Sequence, residues 1–157
     1  ASLQRDVSVS TEKVGDALRA QGDLGGARAR YQESLEMTKR LAAADPSDAT
    51  LQRDVSVSLI KVGDVLVKQG DLVGARARFK ESMDIAKRLA ATDPNSARLQ
   101  RDLWASMWRL VTFSDSGITW AAIAAAMEDM QKRGVLAPSD VRFLEQARQH
   151  AAKEKKK

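Results

Sequence analysis

Leu3-Gln4-Arg5-Asp6-Val7-Ser8-Val9-Ser10 returns letter for letter as Leu51-Gln52-Arg53-Asp54-Val55-Ser56-Val57-Ser58, and a worn third version stands at Leu99-Gln100-Arg101-Asp102-Leu103. The spacing is 48 residues each time, and about two-thirds of the positions agree between the first two copies. A fixed period in the range of roughly twenty to fifty residues marks a stacked array of supersecondary units. The boundaries that follow are repeat one at 1–45, repeat two at 46–93, a degenerate repeat three at 94–134, a capping helix at 138–152 and a basic tail at 153–157, all within one domain, 1–157.

Within each copy the pattern is helical. Leu3, Val7, Val14 and Leu18 form one stripe and Leu24, Ala27, Tyr31, Leu35 and Leu41 a second. Val55, Val62, Leu66, Leu72, Ala75, Phe79, Met83 and Leu89 repeat both in the second copy. Apolar residues three or four apart bury one face of a helix. Strand-like alternation stops at Val7-Ser8-Val9-Ser10, so strands are not supported. Gly22-Asp23 and Gly70-Asp71 read as a left-handed stop followed at once by an N-cap. Such a short link predicts antiparallel neighbours. Asp45-Pro46 and Asp93-Pro94 read as helix starts, with Asp as cap and Pro in the first turn. The third copy keeps Leu103, Met107, Leu110 and Val111, then a shorter helix over about Trp120–Lys132, stopped by Gly134. Ala137-Pro138-Ser139-Asp140 opens a last helix with the stripe Val141, Leu144, Ala147 and Ala151. An array needs such an end element to cover its last apolar face. The N-terminal side has no counterpart, and the chain opens in mid-pattern, which points to a longer parent chain or to self-association.

Composition excludes several functions. Cysteine is absent, so disulfides, thiolate metal sites and redox motifs are out, and a reducing, cytoplasmic location is expected. No apolar run reaches the length of a membrane span. The net charge of +5 sits largely in the tail: 153–157 carries four basic residues and one acidic one, while the rest holds 22 basic against 20 acidic. A nucleic-acid binder shows a basic stripe on one face, and this body has mixed charge. No metal-ligand spacing is present, and no cofactor is expected. The single histidine, His150, has no Cys, Ser or Asp arrangement around it and reads as a surface or packing residue. Asp16 and Asp64 are equivalent positions that would make an acid pair only by facing one another; a helix-surface role is the better reading. Gly25-Gly26 follows a cap inside a helical pattern and is no phosphate loop. Arg28-Ala29-Arg30 and Arg76-Ala77-Arg78 place their arginines about 200° apart on a helix, as outer-face charges beside Glu33 and Glu81.

Val14-Gly15-Asp16, Leu18, Gly22-Asp23, Ala27, Tyr31 and Ser34 resemble the tetratricopeptide repeat pattern, and so do Val62-Gly63-Asp64, Leu66, Gly70-Asp71, Ala75, Phe79 and Ser82. The match is loose over 99–133, where Val111, Ile123 and Met127 replace the Gly, the small Ala and the aromatic. The unit is longer than the family's usual one, as in the Ala-rich arrays of bacterial multidomain proteins. The resemblance implies an all-α helix-turn-helix solenoid, a right-handed superhelix, whose first helices line a concave face for a peptide or protein. No enzymatic activity is implied.

In that register the concave positions are Val9, Glu12, Asp16 and Arg19 in copy one and Val57, Ile60, Asp64 and Val67 in copy two. Copy three supplies Ala105, Trp108, Thr112 and Asp115. Residues three or four apart share a helix face. Large apolar residues outside the core mark binding surfaces, and Trp is enriched at interface hot spots. Trp108 has a second reading, packed on Trp104 against the cap helix. Lys13, Lys61 and Arg109 stand one step round and form either a basic ladder or pairs with Asp16 and Asp64. The acidic Glu12 and Asp16 disfavour a carboxylate-gripping site of the kind that captures chaperone tails. The expected function is a protein-binding scaffold. The alternative is a self-association module in which the uncapped N-terminal repeat makes a homo-oligomer.

Overall fold

The computed structural model describes residues 2–154, and all the regular structure among them is helical. In chain order the elements are α1 (Ser2–Ala20), α2 (Leu24–Ala44), α3 (Ala49–Lys68), α4 (Leu72–Thr92), α5 (Ala97–Leu110), α6 (Trp120–Lys132), a 3-10 turn (Pro138–Asp140) and α7 (Val141–Glu154). The expected all-α helical repeat is what the chain forms. Of the expected basic tail, Lys153 and Glu154 close α7; 155–157 lie outside the described residues. Two compact lobes divide the chain, one ending at Ile85 and the other beginning at Ala86, with the border inside α4.

The Gly-Asp links behave as their chemistry demands. Gly22 and Gly70 hold φ of +84° and +82°, a conformation that costs a residue with a Cβ about 1 kcal/mol or more. The Asp23 N–H donates to Leu18 O and the Gly22 N–H to Arg19 O, the Schellman arrangement that satisfies the last carbonyls of α1. The Asp23 carboxylate then accepts from the Gly26 N–H, and the Asp71 carboxylate from the Gly74 N–H, each at 2.8 Å.

The Asp-Pro starts are corrected. Asp45 ends α2, its N–H donating to Leu41 O. Its carboxylate accepts from the Ser47 N–H and hydroxyl at 3.2 and 2.7 Å. Pro46 therefore sits in a turn, where its fixed φ serves equally well. The cap of α3 is Asp48, which accepts from the Thr50 and Leu51 N–H groups, and the cap of α5 is Ser96. Both helices start three residues later than the Asp-Pro pairs suggest.

In the first lobe α2 packs against both α1 and α3. Small residues set the closest approaches. A Cβ on Gly15 would lie 2.6 Å from Tyr31 Cε1, and one on Gly63 2.8 Å from Phe79 Cδ1. The Ser34 hydroxyl donates to Ser8 O at 3.1 Å. Ser56 and Ser82, at the equivalent crossing of α3 and α4, join their hydroxyls at 2.8 Å. Leu35, Leu59 and Val65 are fully buried between these seams. The stripe predicted for α1 departs from this picture: Leu3, Val7 and Val14 are exposed, whereas Leu51, Val55 and Val62, their equivalents on α3, are buried. What covers α3 is α2 of the repeat before it, and no described helix does this for α1.

In the second lobe α6 packs on α5 and α7. Ile123, Met127, Met130, Leu144 and Ala147 are buried in one cluster with Trp104. The residues that break the repeat pattern here, Ile123 and Met127, are the ones that fill this core. Asp140, almost fully buried, receives Arg101 Nε and Nη2 at 2.8 and 3.2 Å, which ties the start of the last helix to α5. Among the described residues no helix is long and apolar enough to cross a membrane.

Candidate functional site

The first helices of the first lobe carry two kinds of candidate. Val9 and Val67 are 40% and 42% exposed, and Val57 and Ile60 are half-buried. Arg19 is exposed and touches Asp16 only at 3.9 Å. Val9, Val67 and Arg19 thus stand on the surface, and Val57 and Ile60 only partly so.

Glu12 and Asp16 behave differently. The Tyr31 hydroxyl donates to Asp16 Oδ1 at 2.6 Å and Lys61 Nζ to Oδ2 at 2.8 Å. Glu12 Oε1 accepts from Ser58 at 2.5 Å and from Ser34 at 3.1 Å, and Lys61 lies 3.5 Å from its other oxygen. Lys61 also stands 5.5 Å from the centre of the Tyr31 ring. One lysine of α3 thus meets two carboxylates of α1 and an aromatic of α2. Burial pushes the Asp16 carboxyl up, but the hydrogen bonds from Lys61 and Tyr31 and the charges of Lys61 and Arg19 outweigh it and hold the group below its ordinary value. Burial, and then the Asp16 hydrogen bond, raise the Tyr31 hydroxyl, so it stays a donor. The expected partner of Lys61 was Asp64 on its own helix; the pairs that tie the repeats together are with Asp16 and Glu12. Lys13, expected to pair with Asp16, has no ion pair among the described residues. Asp64 is half-buried on α3, and Asp16 is committed to this cluster instead of an acid pair. The outer-face arginines follow expectation: Arg30 meets Glu33 at 2.6 Å and Arg78 meets Glu81 at 3.5 Å.

In the second lobe the packed reading of Trp108 is met. Its ring makes edge contacts with Trp120 at 4.8 Å, Phe143 at 5.6 Å and Trp104 at 6.2 Å. It remains half-buried, and one side opens on a cleft of about 400 Å³ lined also by Arg101, Ala105, Arg109 and Phe143. Thr112 and Asp115 are exposed, but α5 ends at Leu110 and Gly117 takes φ of +72°. The helical spacing therefore does not carry to Thr112 and Asp115, which lie in the turn. His150 stacks on Trp120 at 4.3 Å, the packing role read for it. No group of three residues able to hold a metal occurs among the described residues.

Sequence reasoning missed Ser58, Tyr31 and Lys61 as one cluster, and the Arg101–Asp140 latch. The usable signal was asymmetry between copies: Glu12 and Tyr31 stand where repeat two has Ile60 and Phe79, so the Glu12 carboxylate and the Tyr31 hydroxyl that build this cluster have no counterpart of the same chemistry one repeat on.

Residues 10–48 match the family model described as Tetratricopeptide repeat. No curated protein matches the chain. Repeats of this family generally mediate protein–protein interaction and form a non-enzymatic type of scaffold.

Proposed function

We propose that this tetratricopeptide-repeat chain is an interaction scaffold that receives a peptide or partner protein on the exposed face of its first helices. The observation that carries the reading is the pair of exposed aliphatic side chains, Val9 on α1 and Val67 on α3, on helices whose core contacts are made by other residues. Val57, Ile60, Arg19 and Asp64 complete that face in the first lobe, giving an aliphatic strip edged by both charges. Glu12 and Asp16 position it by locking α3 onto α1 and α2. In the second lobe Trp108 and Thr112 are the corresponding candidates, with Trp108 offering one ring edge to a cleft flanked by Arg101 and Arg109. An extended segment with aliphatic anchors suits the first surface, and an aromatic one the second. The localisation that accompanies this reading is cytoplasmic.

Panning a displayed random-peptide library on the full chain tests it. Selected peptides should lose affinity about tenfold or more, equivalent to about 1.4 kcal/mol, for a Val9→Glu, Val67→Glu double variant whose helicity is unchanged. Undiminished binding to that variant refutes the assignment of the face.

A further inference from the structure

α1 and α3 share eight consecutive residues and differ in what covers them. On α3, Leu51, Val55 and Val62 lie beneath the preceding repeat, at 6%, 5% and 1% exposure. On α1 the matching Leu3, Val7 and Val14 are 76%, 47% and 50% exposed. Two open clefts flank them, one of about 520 Å³ reaching Arg30 and one of about 470 Å³ reaching Met37 and Arg40 on α2.

The polar groups tell the same story. On α3, Asp54 takes Arg5 in two contacts, at 2.5 and 3.2 Å. Ser58 donates to Glu12, and Lys61 to Asp16. Their equivalents on α1 are Asp6, Ser10 and Lys13. Asp6 and Lys13 have no ion-pair partner among the described residues, and Ser10 turns back to its own helix at Asp6 O.

We infer that this side of α1 is a docking face for a further helical hairpin of the same 48-residue kind. The joint between α2 and α3 is the template for it. The occupant carries an aliphatic second helix to cover Leu3, Val7 and Val14. Its first helix carries an arginine for Asp6 and, seven and eleven residues further on, two carboxylates for Lys13, the spacing of Arg5, Glu12 and Asp16. A second copy of this chain stacked head to tail does not supply these groups, because its own Arg5, Glu12 and Asp16 are already bound to α3. The face lies on the opposite side of the joint from those groups and is separate from the strip proposed for partners.

The probe is the full chain preceded, in register, by one more copy of residues 1–48. Amide hydrogen exchange over 7–14 should slow about tenfold or more in the extended chain relative to the 157-residue chain. Lys13→Glu should lose that protection in the extended chain and leave exchange in the shorter one unchanged. Exchanging the added copy's Glu12 alone for lysine, which leaves its Asp16 to accept from Tyr31, should restore part of it. Equal exchange with and without the added copy overturns the inference, as does an extended chain less stable than the original. So does self-association of the 157-residue chain, seen by sedimentation and abolished by Val7→Glu, because a second copy would then cover the face.

Discussion

Removing the Asp16 carboxylate is the sharpest test of the joint between the first two repeats. In Asp16→Ala the Tyr31 hydroxyl loses its acceptor inside a residue that is 1% exposed, and an unsatisfied buried donor costs about 1–3 kcal/mol. The Lys61 contact at 2.8 Å is also lost, but its side chains are 26% and 41% exposed, and ion pairs that wet contribute about 0.2–1 kcal/mol. Together the loss should be about 2 kcal/mol, a fall in Tm of about 4–8 °C for a chain of this size. Asp16→Asn keeps an acceptor for Tyr31 and gives up only the ion pair, so it should lose about 0.5 kcal/mol. The native Asp16 carboxyl is held below its ordinary value. Its charge therefore stabilises fully above the unfolded pKa of about 3.9, and that contribution fades as the pH falls through the lower native value. Urea melts followed by circular dichroism at neutral and acid pH measure both effects. An Asp16→Ala variant within about 0.3 kcal/mol of wild type at neutral pH, below any loss expected for a stranded buried donor, would refute the reasoning. A wild-type advantage over Asp16→Asn that persists in strong acid would refute it too.

Trp108→Ala should cost about 2–3 kcal/mol, less than a fully buried Trp, with the near-ultraviolet dichroism of the aromatic cluster flattened; Trp108→Phe should recover part of it. Arg101→Met leaves the Asp140 carboxylate buried without its partner and should cost about 2 kcal/mol or more, read as a lower thermal midpoint that Asp140→Asn placed beside it partly restores. Gly15→Ala drives a methyl group into the Tyr31 ring and should destabilise by about 1–3 kcal/mol, measured by chemical denaturation.

Much of the fold was legible because repetition doubles every local signal. The Gly22-Asp23 and Gly70-Asp71 links stated their conformation in two residues, and both formed as read. Asp45-Pro46 misled because Asp and Pro favour a turn as strongly as a helix start; only Asp48, two residues on, decides between them. The stripe on α1 was read as core because periodicity reports which face is apolar and says nothing of whether a neighbour arrives to cover it. The same limit applied to Trp108, where spacing on α5 matched the open face while Trp120 and Phe143, remote in sequence, closed around it. Long side chains were the least legible. Lys61 reaches Asp16 and Glu12 across 45 and 49 residues of chain, and no pattern within α3 distinguishes that reach from a pair on its own helix.

The identical octapeptides of α1 and α3 carry a cost during folding. Both segments fit the berth against α2 that native α3 occupies, since every residue from Leu51 to Ser58 has its duplicate from Leu3 to Ser10. A collapsing chain must sort two interchangeable strips, and out-of-order pairings are a characteristic trap of tandem sequences. What separates the two outcomes is where the helices diverge beyond the octapeptide: Thr11, Glu12, Ala17, Arg19 and Ala20 stand where α3 has Leu59, Ile60, Val65, Val67 and Lys68. Those few differing side chains thereby act as the address that sends each helix home.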